Sequence, residues 1–120
     1  MEKKREIKFR AWDTEGKKMF LPTSEDGWRI VLGEIYSKPD TILMQFTGLK
    51  DKNGKDIFEG DILTFYDNGN VYIVQYDEDN AEFNCGNEYD KPLAKQCEEG
   101  LEVIGNIYEN SELLSKLNKE

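Results

Sequence analysis

A chain of 120 residues with 16 Lys or Arg against 25 Asp or Glu carries a formal net charge of −9, and it contains no histidine. That length suits one modest hydrophobic core rather than two large domains. Without histidine, neither Ser-His-Asp nor Cys-His nucleophilic machinery can be assembled within the chain. The longest apolar runs, residues 42–44 and 71–74, fall far short of the roughly 18 to 20 residues that a membrane-crossing helix needs.

The charge is unevenly placed. Residues 1–60 hold 12 cations and 11 carboxylates, a net of +1, whereas residues 61–120 hold 4 and 14, a net of −10. A negative field over the second half repels phosphate backbones and attracts basic partners; such carboxylates also serve simply as the solvated face of a soluble domain. The start, MEKKREIKFRAW, alternates where a secretory signal would be continuously apolar, so the expected compartment is the cytoplasm. Cys85 and Cys97 have neither CxxC spacing nor histidine company, which leaves a zinc site short of ligands unless subunits share one and predicts two reduced thiols; no metal and no cofactor are expected.

In chain order, IKFRAWD places Ile7, Phe9 and Ala11 on one strand face and Lys8, Arg10 and Trp12 on the other, predicting a half-buried first strand. The turn Asp13-Thr14-Glu15-Gly16 leads into KKMF as a hairpin, with Gly16 expected at positive φ. Residues 28–32 read as a strand between polar loops. Residues 41–47 are β-branched and aromatic, and Asn53-Gly54 after them predicts a type I′ hairpin turn. Glu59-Gly60-Asp61 turns the chain into the next strand, with Gly60 at an unusual φ and Asp61 capping turn amides. Asn68-Gly69 leads to VYIVQY, and a break at residues 77–80 leads to a strand at 82–85. LEVIGNIYE supplies the last strand, with Gly105 at a bulge or a close backbone approach. NSELLSKLNKE predicts a short helix capped by Asn110 or Ser111, with Leu113, Leu114 and Leu117 at helical spacing. Short strands joined by tight turns imply a mainly β fold, a small barrel or sandwich.

The blocks IKFRAWD, MQFTGLKDKNGKDIFEGDIL and EVIGNIYENSELL resemble the signature of the YopX family, small proteins of phages and prophages of Gram-positive bacteria. The resemblance implies an SH3-type barrel in the C-terminal part. We therefore expect an N-terminal β-rich subdomain over residues 1–47 packed on a barrel subdomain with a C-terminal helix over residues 48–120, forming one compact unit. The family brings no established activity and no active-site residues to carry over.

Candidates for chemistry are weak. Asp51, Asn53 and Lys55 mimic a calcium loop only superficially, since a cation occupies the third ligand position and Ile62 that of the terminal glutamate. Asp77, Glu78 and Asp79 cluster in a loop with no apolar pocket to raise a pKa, as general acid catalysis requires. Lys8, Arg10 and Trp12 are the candidate binding residues, because an indole flanked by cations suits stacking on single-stranded nucleic acid; a Trp in a small domain more often closes a core, with cationic stems packed on it. The expectation is a non-enzymatic protein-interaction or assembly module with a protein partner or self-association. The alternative is a nucleic-acid-associated phage factor binding through the basic N-terminal strand.

Overall fold

The computed structural model describes residues 6–21, 40–65, 71–85 and 100–116. The expected strand at 28–32, the Asn68-Gly69 turn, Leu117 and Cys97 lie outside them. The described chain is mainly β, and it divides into two compact units, Met1–Gly48 and Leu49–Glu120.

In the first unit, β1 (Phe9–Asp13) lies between β2 (Lys18–Phe20) and the first part of β3 (Thr41–Lys50), antiparallel to both. Trp12 stands opposite Met19 on one side and Ile42 on the other; Ala11 stands opposite Phe20 and Leu43. The β1–β2 hairpin turns on Asp13, whose Oδ1 accepts the N–H groups of Glu15 (3.0 Å) and Gly16 (3.1 Å), while its carbonyl accepts the Lys17 N–H at 2.7 Å. The left-handed position is Lys17, at φ 54°, and not Gly16. Gly16 answers a need for space instead, because a Cβ there would stand 2.8 Å from Asp13 Oδ2.

The first strand is not half-buried. Arg10, Ala11, Trp12 and Asp13 are all buried, so both faces of β1 are covered at its centre. Alternation assigns side chains to faces, but which face is covered depends on what the sheet packs against, and seven residues do not contain that information.

In the second unit, the end of β3 turns back into β4 (Asp56–Phe58), and β5 (Asp61–Phe65) lies between β6 (Tyr72–Ile73) and β9 (Leu101–Asn106). A separate two-stranded ribbon joins β7 (Gln75–Asp77) to β8 (Glu82–Asn84). The core gathers Ile57, Leu63, Val74, Cys85, Leu101 and Val103, with Leu49, Tyr72 and Phe83 packed against it. Each fully buried Ile or Leu contributes about 1.5–3 kcal/mol.

Two local expectations change and a third holds. The Asn53-Gly54 turn is not type I′, which needs positive φ at both central residues: Gly54 is at φ 83° whereas Asn53 is not in the left-handed region. The Gly54 N–H reaches Asp51 O (3.0 Å) and the Asp51 N–H reaches Lys55 O (2.9 Å), giving a three-residue connection with a left-handed glycine at its end. Gly105 does sit at a bulge, since Ile62 pairs with Gly105 and Leu63 with Val103, leaving Ile104 as the extra residue. The terminal segment is a 3-10 helix, Ser111–Lys116, rather than an α-helix. Asn110, one of the two expected caps, turns its Oδ1 back to the Asn106 N–H (3.0 Å), and six residues are too few to offset the cost of an α-helical nucleus without help.

Candidate functional site

The three candidate binding residues fall on one face of β1 by alternation, together with Met44, Phe46 and Ile42 of β3. Lys8 is half-buried, with Nζ 3.1 Å from Glu6 Oε2 and 4.6 Å from the Phe46 ring centroid. Arg10 is 6% exposed and Trp12 8%. A stacking platform for a base needs an open ring face, and in this chain the indole is covered, with Met19 and Ile42 opposite it across the two strand pairs. The Lys8 ammonium over Phe46 contributes a cation–π contact worth about 0.5–1 kcal/mol at such a position.

The opposite face carries the side chains that water reaches. Ile7 is 58% exposed and Leu43 42%, and Phe9 and Phe20 are half-buried. Across the three strands, Phe20, Ala11 and Leu43 form one row, with the small Ala11 fully covered between larger neighbours. Sequence reasoning weighed two readings of the cationic side, a binding surface and a core closed by Trp12 with cationic stems packed on it, the second being the more frequent arrangement, and the burial of Arg10 and Trp12 agrees with the second. The covering residues come from β3: Met44 and Phe46 share their face with Arg10 and Trp12 once the strands pair, and both are buried.

In the second unit Asp51, Asp61, Asn106 and Asn110 of the central and last blocks are held by backbone amides. Asp51 is buried; its Oδ1 accepts the N–H groups of Asn53 (2.8 Å) and Lys55 (2.9 Å), and its Oδ2 accepts that of Val103 (2.9 Å). Desolvation by burial pushes this carboxyl up, but the hydrogen bonds from Val103, Lys55 and Asn53 and the charge of Lys55 together hold it below its ordinary range. The carboxylate therefore serves as an anchor that ties the hairpin to β9, a bond reinforced by the Lys52 N–H to Leu101 O (3.0 Å) and the Lys52–Glu102 ion pair.

Asp61 works in the same way. Gly60 takes φ 86°, and Asp61 Oδ2 accepts the Phe58 N–H at 2.7 Å, as the sequence predicted. Around this turn, Gly60 N–H reaches Val74 O, Val74 N–H reaches Asp61 O, and Ile107 N–H reaches Gly60 O, all at 2.9–3.0 Å. After β9, Asn106 Oδ1 accepts the N–H groups of Tyr108 and Glu109, and its Nδ2 donates to Glu109 Oε1.

Asp77, Glu78 and Asp79 occupy the β7–β8 turn. Asp77 accepts from the Asn80 side chain (2.8 Å), the Asp79 N–H (3.0 Å) and the Asn84 side chain (3.4 Å). Its carboxyl is lowered, chiefly by the Asn80 bond, which is the reverse of the shift a general acid needs. Among the described residues, no helix is long and apolar enough to cross a membrane.

No curated protein matches the chain. Among solved structures, the chain is similar to protein EF1440 from Enterococcus faecalis, at 28% identity and a TM-score of 0.60, over 92% of this chain and 99% of that one. The family model for the YopX protein matches residues 8–115, a span that includes β1, the Asp51 hairpin, the Gly60-Asp61 turn and the Asn106 turn. The chain belongs to the YopX family.

Proposed function

We propose that this protein is a phage- or prophage-encoded, non-enzymatic interaction or assembly module, acting in the host cytoplasm through contact with a protein partner or a second copy of itself. The observation that carries the reading is the open face of the first unit. Ile7 and Leu43 are exposed beside half-buried Phe9 and Phe20, and apolar side chains grouped on an open face favour protein contact. The negative field of residues 61–120 adds a preference for basic surfaces. Supporting the non-enzymatic part, Asp51, Asp61 and Asn106 of the second unit's signature blocks are engaged with backbone N–H groups. An SH3-type closure of the second unit belongs to the same reading, and the short strands from β4 to β9 with their tight turns support it.

The test is affinity purification of tagged protein from host cells, with and without nuclease, followed by native mass measurement. A stoichiometric, nuclease-resistant protein, or a discrete oligomer, is the expected result, lost on Leu43→Ser. Recovery that depends on nucleic acid would replace this reading with the alternative of binding through Lys8, Arg10 and Trp12, and its affinity would then fall steeply with salt.

A further inference from the structure

Asn53 and Gly54 stand exposed at the tip of the β3–β4 hairpin. The other four asparagines among the described residues have engaged carboxamides: Asn80 and Asn84 bond Asp77, Asn106 bonds Glu109, and Asn110 accepts from the Asn106 N–H. Asn53 uses its backbone N–H, to Asp51, and its carboxamide makes no hydrogen bond among the described residues. Its successor has no side chain, and nothing lies within 4 Å of where a Cβ would stand on Gly54. Exposed Lys52 and Lys55 flank the pair in sequence, and nearby positive charge favours the anionic form of a group that is losing a proton.

We propose that Asn53-Gly54 is a site of spontaneous succinimide formation, and that the isoaspartyl product loosens the hold of the hairpin on β9. Solvent base takes the Gly54 amide proton, and the nitrogen attacks Asn53 Cγ. The bond from Cγ to the carboxamide nitrogen breaks, and that nitrogen, once protonated, leaves as ammonia. Water then opens the imide. Opening at the side-chain carbonyl gives an aspartyl residue, and opening at the main-chain carbonyl gives an isoaspartyl one. The net change is one water in and one ammonia out, with no redox step.

The hairpin sets the rate. In the closed turn the Gly54 N–H is held by Asp51 O at 3.0 Å, so attack proceeds from a locally opened tip, more slowly than in the unfolded chain. It also sets the consequence. An aspartyl product adds a carboxylate beside Lys52 and Lys55, which leaves the backbone as it was. An isoaspartyl product adds a methylene to the main chain inside a three-residue connection. That displaces Asp51 relative to Lys55, and Asp51 is the residue that holds the Val103 N–H.

The experiment ages the folded protein at mildly alkaline pH beside a denatured sample, maps position 53 by peptide mass spectrometry, and separates the isoaspartyl fraction for denaturant unfolding. The expected result is conversion at position 53 in the folded protein, several-fold slower than in the denatured chain and absent in Asn53→Ser. The isoaspartyl fraction unfolds at a lower midpoint, whereas Asn53→Asp unfolds with the parent. No conversion in the folded protein over the time that fully converts the denatured chain would overturn the site. An isoaspartyl fraction with the parent's midpoint would overturn the coupling to β9.

Discussion

The two units use their polar residues differently. In the second, Asp51, Asp61, Asn106 and Asn110 accept hydrogen bonds from backbone N–H groups across and within turns, so these residues build the joints of the fold. In the first, Asp13 alone among the residues of β1 plays that part, while Leu43 of the sheet and Ile7 just before β1 are exposed. The contrast teaches that a family signature has two kinds of content. The blocks around Asp51 and Asn106 specify architecture, and the block containing Ile7 and Phe9 also specifies a surface.

The strongest way to break that division is at Asp51. Asp51→Ala leaves three N–H groups without their charged acceptor, and hydrogen bonds to charged groups contribute about 1.5–3 kcal/mol each before relaxation. A loss of about 3 kcal/mol in denaturant unfolding is expected, and a loss under about 0.5 kcal/mol would remove Asp51 from the architectural class. Next in size is Gly105→Ala. The added Cβ would stand 2.5 Å from Asn110 Oδ1, forcing Asn110 off the Asn106 N–H, and equilibrium unfolding should register about 2 kcal/mol.

Smaller effects sharpen the comparison. Lys17 and Ala81 hold left-handed backbone, at φ 54° and 52°, at the ends of two hairpin turns that both begin with an Asp accepting the N–H two residues on. Lys17→Gly and Ala81→Gly should each stabilise by about 0.5–1 kcal/mol by relieving that conformation; thermal unfolding that moved downward in both would show that the turns are not strained. Smallest in stability is the open face. Ile7→Thr and Leu43→Thr should change unfolding by less than about 0.5 kcal/mol yet abolish the association proposed for that face, as read by native mass and partner recovery.

What was legible in the sequence was local. The positive φ of Gly60 and the capping by Asp61 rest on residues a few positions apart, where turn chemistry is decisive, and Gly105 by its residue type marked the bulge whose partners lie in β5. The division of β1 into two faces and the closing of a core by Trp12 were also legible, but not the burial of Arg10, which depended on its pairing with Met44 some thirty residues away. The role of Asp51 was hidden for the same reason. Its bonds to Asn53 and Lys55 belong to the turn, but its bond to Val103 spans 52 positions. The helix was misread because the leucine spacing was visible and the backward turn of Asn110 was not.

The pH dependence of unfolding, measured on the parent and on Asp51→Asn, tests the architectural claim most directly. The folded Asp51 carboxyl lies below its ordinary value of 3.8, so its stabilisation is complete above that value and is lost as pH falls through the folded one. The account predicts that the parent is the more stable at neutral pH and that the two curves converge as the solution is acidified below 3.8. Equal stability at neutral pH, or a difference that persists unchanged into acid, would contradict it.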